Sequence, residues 1–244
     1  MCIRDSDYTN LQPKEMRGGR RTLLAGSCTQ PIQHQQAIIV DDLAFLKNET
    51  NKPVKMTLPG PMTVVDSTNN NFYSSEEEMA FAWANAINKE AKLLDDLGVD
   101  IIQFDEPAFS RYPDKVEKWG IEALDQCVSG LKCSTAVHVC YGYPQPGLLR
   151  PVNDSYETII ALLEQSKVDQ LALEFEGANL DPKLLKNCPS KTVIFGCVFN
   201  SDEVMEKPHR VAKRLCEAAE FIDPQKIQAA PDCGLVMMLS LIHI

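Results

Sequence analysis

An α/β fold, the TIM (β/α)8 barrel, is what this sequence predicts, and three observations carry the prediction. Short β-branched apolar runs alternate with helical stretches along most of the 244 residues, the pattern of parallel βα units. No Gly-x-Gly-x-x-Gly follows any of these runs, which removes the dinucleotide-binding version of an open doubly wound sheet. Nearly every run ends in a polar or sulfur-bearing residue: Asp105, His138 with Cys140, Glu174 and Cys233. In a barrel those strand ends share one mouth, where functional groups collect.

Residues 1–20 are polar with no strand or helix period, so they predict no element and stand outside the expected domain. Residues 21–26 form a short apolar run ending in glycine, read as a strand, and residues 40–46 have helical spacing. Residues 54–58 make a strand that stops at Pro59-Gly60-Pro61. Ser74 and Ser75 ahead of Glu76, Glu77 and Glu78 predict a helix start, with a hydroxyl cap and acids favoured by the helix dipole; that helix runs to Leu97 and stops at Gly98. Residues 99–104 read as a buried strand ending in Asp105-Glu106-Pro107, and carboxylates that are costly to bury belong at its open end. There follow a helix over 116–131, the His138 strand, a helix over 154–165, a strand over 168–176, a short helix over 182–186, a strand over 192–199 and a helix over 208–221. A last strand over 226–230 leads into Pro231-Asp232-Cys233-Gly234-Leu235.

Seven strands are expected, entered at Arg21, Val54, Val99, Ala136, Leu171, Val193 and Ile227. The barrel is therefore expected to be incomplete, its first strand and closing helix missing and two sheet edges unpaired. The expected divisions are a non-matching stretch 1–20, a barrel domain 21–235, and an apolar tail 236–244 foreign to it.

A formal net charge of −10 argues against nucleic acid or an anionic membrane as partner, since both reward a basic face. No apolar run reaches the roughly 18 residues of a membrane span. Nine cysteines, odd in number and irregular in spacing, read as reduced thiols of a cytoplasmic protein.

Alternate strand positions point to one face, so His138 and Cys140 present nitrogen and sulfur side by side. Alone, the pair is equally a small core cysteine beside a satisfied histidine; Glu174 reads as a solvated strand-end acid and Cys233 as a buried turn cysteine. Converging on one mouth, the four give one nitrogen, two sulfurs and one oxygen, a tetrahedral set that zinc accepts.

The ordered segments Ile102-Gln103-Phe104-Asp105-Glu106-Pro107-Ala108, His138-Val139-Cys140-Tyr141, Leu171-Ala172-Leu173-Glu174 and Pro231-Asp232-Cys233-Gly234-Leu235 resemble the C-terminal zinc barrel of the cobalamin-independent methionine synthase family, closest to its short core-type members. The resemblance implies Zn2+ held by His138, Cys140, Glu174 and Cys233, with Glu176 as the alternative oxygen ligand. It implies that Asp105 binds the amino group of homocysteine, with Glu106 beside it. The implied reaction is methyl transfer from methyltetrahydrofolate, or from a methyl-corrinoid protein, to the homocysteine thiol, which displaces Glu174 and gives methionine. Where that family has a tryptophan after the Gly-Pro turn, this sequence has Met62-Thr63-Val64; Phe72 and Tyr73 are then either a pterin stack or loop packing. A zinc-dependent alkyl transferase acting on another thiol, such as coenzyme M, would use the same ligands, but a carboxylate at Asp105 suits an amino acid better than a sulfonate. A non-catalytic zinc-binding barrel is the second alternative. Arg111 and Lys115 read as solvated surface charges.

Overall fold

The computed structural model describes residues 6–19, 21–142, 152–200 and 206–235. The chain opens with an antiparallel hairpin, β1 (Ser6–Met16) and β2 (Arg21–Cys28). Both halves differ from expectation: residues 6–16 are a strand rather than irregular, and the run entered at Arg21 pairs with them rather than joining the barrel. The physical reason is the connection, where Arg17, Gly18 and Gly19 take φ of 56°, 64° and 83° and reverse the chain. The hairpin satisfies its own backbone, which lets a polar, aperiodic segment form a strand.

Helix α1 (Val40–Glu49) leads to β3 (Lys55–Pro59). The Pro-Gly-Pro turn then starts a helix instead of a loop: α2 (Pro61–Asp66) has proline in its first turn, where no amide partner is lost. The two-residue β4 (Asn69–Asn70) adds in parallel to β2, completing a three-stranded sheet β1-β2-β4. Helix α3 (Glu76–Asp96) begins as its sequence dictates. Ser75 Oγ accepts from the Glu78 amide at 3.1 Å, the Glu78 carboxylate accepts from the Ser74 amide at 2.9 Å, and Gly98 ends the turn at φ 74°.

From here the chain alternates. β5 (Ile101–Asp105) is followed by α4 (Pro113–Lys115), a π-turn over Val116–Gly120 and α5 (Ile121–Cys127), so the helix expected over 116–131 starts three residues earlier, carries a π-turn and ends at Cys127. Then come β6 (Ser134–Val139), α6 (Ser155–Glu164), β7 (Gln170–Leu173), a 3-10 turn over Pro182–Asn187, β8 (Thr192–Val198), α7 (Pro208–Ala219) and β9 (Ile227–Pro231).

Six of the seven expected strands form one parallel sheet in sequential order β3-β5-β6-β7-β8-β9. Among the described residues β3 and β9 are its edges and do not pair with each other, so the sheet does not close. Its outer face packs Ile102, Phe104, Val137, Val139, Leu171, Leu173, Val193 and Phe195 against the helices. Its inner face carries a small second cluster, Ala136, Ala172 and Ile194 with Ile101 and Ala230. With a period of two, that places Gln103, Asp105 and His138 on the inner face too. The register puts Pro59, Asp105, His138, Ala172 and Ile194 in one row. The tail 236–244, where the closing helix is expected to be missing, lies outside the described residues. No helix among the described residues is long and apolar enough to cross a membrane.

Candidate metal centre at the strand ends

Three side chains meet where β6 and β9 end. The ligand-competent atoms of His138, Cys140 and Cys233 all lie within 4.8 Å of one another, and the two sulfurs are 3.8 Å apart. That separation is far too long for a disulfide bond of about 2.05 Å. Two sulfur ligands on a tetrahedral zinc, each about 2.3 Å from the ion, stand about 3.8 Å apart.

The imidazole is oriented for the same task. His138 Nδ1 lies 3.2 Å from the Ala172 carbonyl, which can only accept, so the proton sits on Nδ1 and the lone pair on Nε2. That Nε2 is buried and makes no hydrogen bond. A ligating histidine is held this way, by its second nitrogen on a backbone carbonyl. Burial opposes charging of His138, but Cys233 and the Asp105 carboxylate together hold its pKa above the ordinary value. Cys140 beside it, and burial, push the Cys233 thiol up. A bound soft metal would deprotonate a coordinating thiol outright. The donor set, one nitrogen and two sulfurs, therefore fits three of the four positions of a tetrahedral zinc.

Glu174 is not part of this cluster. It follows the end of β7, completely buried, and its Oε2 accepts from the Tyr141 amide at 2.9 Å. Glu176, the alternative oxygen donor, is committed elsewhere: its carboxylate is 2.8 Å from Arg210 and 3.0 Å from Arg214. The strand expected over 168–176 is thus shorter, and both glutamates sit on the turn beyond it.

On the other side of the mouth Asp105 pairs in register with His138. Its Oδ1 accepts from Gln103 Nε2 at 2.8 Å, and Gln103 Oε1 accepts in turn from Lys55 Nζ at 2.8 Å. Glu106 is fully buried: Oε1 accepts from the Met62 amide at 2.9 Å, and Oε2 from the Thr63 amide at 2.8 Å and the Thr63 hydroxyl at 2.7 Å. It therefore caps the start of α2. Burial pushes its pKa up to about 7, against the pull of those three donors.

Asp232 and Arg111 were not legible as site residues. Asp232, 1% exposed, accepts at Oδ1 from the Phe175 and Glu176 amides at 2.9 and 3.0 Å, and at Oδ2 from the Gly177 amide at 2.5 Å. Burial and the nearby Glu174 charge push its pKa up to about 7. Its place inside Pro231-Asp232-Cys233 was the available signal, since an acid beside a buried ligand needs donors. Arg111 is not a solvated charge: half-buried, it donates to the Tyr141 carbonyl at 2.9 Å and lies 5.4 Å from the centre of the Tyr141 ring. Lys115, with its side chain 40% exposed, pairs with Glu76 and sits 4.8 Å over the Tyr112 ring, in keeping with a surface charge. Tyr73 accepts from the Ile32 amide at 2.7 Å and meets Phe72 edge-on at 5.0 Å, which is loop packing.

A parallel α/β sheet with a His/Cys/Cys cluster at its C-terminal end defines a barrel-type protein with a group of side chains that could hold a metal ion. The family model described as "Cobalamin-independent synthase, Catalytic domain" matches residues 19–239, and the chain belongs to that family. It is 33% identical over 209 residues to a methionine synthase of Thermococcus kodakarensis, covering 85% of this chain and 58% of that protein. It is 30% identical over 213 residues to a methionine synthase of Sulfurisphaera tokodaii, covering 87% of this chain and 59% of that one. The chain thus spans less than two thirds of the length of these relatives. A B12-independent methionine synthase from Shewanella sp. W3-18-1, solved in complex with selenomethionine, superposes with a TM-score of 0.91 at 32% identity, covering 99% of this chain and 72% of the other.

Proposed function

We propose that this chain carries the zinc-dependent step in which a methyl group moves to the thiol of homocysteine, giving methionine. The observation that carries the reading is the 3.8 Å spacing of Cys140 and Cys233 beside the unbonded Nε2 of His138. Family membership and the relatives named methionine synthase support it. So does the selenomethionine complex of the Shewanella protein, whose ligand is the selenium counterpart of the product.

His138, Cys140 and Cys233 would hold the ion, which when bound supplies a Lewis acid that keeps the substrate thiol deprotonated near pH 7. Asp105, one strand from His138, offers the charge that an α-ammonium group needs. That contact orients the substrate so that its sulfur approaches the cluster, and orientation of this kind lowers the barrier by removing rotational freedom before reaction. Glu106 holds α2 and the Pro-Gly-Pro turn beneath Asp105. Glu174, on the segment beyond β7 and outside the His138/Cys140/Cys233 cluster, would supply an oxygen ligand to a bound ion and would give way to the substrate thiol. The methyl donor is methyltetrahydrofolate or a methyl-corrinoid protein. Cys127, Cys133, Cys140, Cys188, Cys197, Cys216 and Cys233 are free thiols, which supports a reducing, cytoplasmic setting.

The test is methionine formation from homocysteine with each donor in turn, alongside measured zinc content. One zinc per chain and methionine from either donor meet the expectation. A zinc-loaded chain that makes no methionine with both donors would contradict it, and transfer to coenzyme M instead would move the reading to the other thiol.

A further inference from the structure

Glu174 must stand at a defined distance from a cluster whose members come from other strands, and its turn is tied to that cluster at both ends. Its side chain is held by the Tyr141 amide, one residue after Cys140. The backbone after it is held by Asp232, one residue before Cys233: three successive amides, Phe175, Glu176 and Gly177, converge on that one carboxylate. The Asp232 amide itself donates to Val198 at 2.9 Å, which fixes the end of β9 against β8. The neighbouring strand is shaped to admit this side chain. A Cβ on Gly196 would lie 2.3 Å from Asp232 Oδ1 and 2.8 Å from the Leu173 carbonyl, so only glycine leaves room.

We propose that Asp232 is a positioning residue that ties the Glu174 turn to the ligand-bearing end of β9, so that metal binding through Cys233 fixes where Glu174 stands. The inference rests on the metal reading above and adds a coupling to it. Occupancy of the cluster immobilises Cys233; Asp232, its chain neighbour, then holds the turn still. Two acceptor oxygens are well matched to three donors, whereas an asparagine would keep one acceptor oxygen and face the Gly177 N–H with a second donor.

Amide hydrogen exchange tests the coupling without reference to activity. In the wild-type chain, loading with Zn2+ should slow exchange over residues 174–178 by on the order of tenfold or more. Asp232→Asn should still take up one zinc per chain yet show less than about a twofold slowing there. Gly196→Ala, which touches no ligand and displaces Asp232, should behave the same way and serves if the first variant folds poorly. In both, KM for homocysteine should change less than kcat. Wild-type slowing retained in either folded variant overturns the coupling, as does a wild-type turn whose exchange ignores zinc. A wild-type chain that takes up no zinc overturns the metal reading itself, and this inference with it.

Discussion

The mouth of the sheet has two halves, each resting on one buried carboxylate. Glu106 supports the β3–β5 side and Asp232 the β7–β9 side. Each collects three donors, each has its pKa pushed up to about 7, and each faces a glycine whose Cβ would come within 2.3 Å of it. They differ in what they hold. Glu106 fixes the first turn of a helix beneath Asp105, a local cap made across one strand pair. Asp232 fixes a turn more than fifty residues away and stands beside a sulfur ligand. The same device thus builds a substrate side and a metal side, and the two can be broken separately.

The largest effect should come from the ligands themselves. Cys233→Ser should weaken zinc binding by more than the roughly 10- to 100-fold typical of second-shell losses, read by competition with a chelator; full zinc occupancy in that variant would remove Cys233 from the site. On the substrate side, Asp105→Ala should leave zinc at one per chain while raising KM for homocysteine by roughly 10- to 100-fold, the worth of a hydrogen bond to a charged group. A variant that loses zinc instead would dissolve the distinction between the halves.

The glycines give the sharper comparison. Gly60→Ala drives a Cβ into the Glu106 carboxyl, 2.3 Å from Cδ, and should raise KM for homocysteine with little change in zinc affinity. Gly196→Ala should instead keep zinc at one per chain, change KM for homocysteine less than kcat, and abolish the zinc-linked slowing of amide exchange over residues 174–178. Identical phenotypes from the two would mean that the mouth behaves as one unit.

The smallest effect is a pH slope. The folded pKa of Glu106, about 7, lies above its ordinary value of 4.5, so the neutral acid is the form that folding favours. The associated stability is present below about pH 4.5 and is lost as pH rises through 7. Thermal melts of the wild type should therefore decline over that window, and Glu106→Gln, which cannot ionise, should flatten that part of the slope. An unchanged slope would place the ionised form in the fold.

What the sequence revealed follows the range of the interactions involved. The helix Glu76–Asp96 was legible from Ser75, Glu78 and Gly98 because its caps are local. The inner-face pair His138 and Cys140 was legible from strand alternation, and Cys233 from its place after the last strand. The hairpin strand Ser6–Met16 was not, because its pattern comes from its partner and from the Arg17-Gly18-Gly19 turn rather than from its own periodicity. Helix α2 was hidden because Pro59-Gly60-Pro61 reads as a stop, whereas Pro61 is a permitted first residue. The turn carrying Glu174 and Glu176 read as strand because what bends it is Asp232, distant in sequence; Arg210 and Arg214, which pair with Glu176, are equally remote.

Zinc-edge X-ray absorption on this chain, with and without homocysteine, tests the central claim most directly. The account predicts one nitrogen and two sulfurs around a bound ion, with a third sulfur replacing the oxygen when the thiol is added. A shell that homocysteine leaves unchanged, or one lacking the two protein sulfurs, would contradict it.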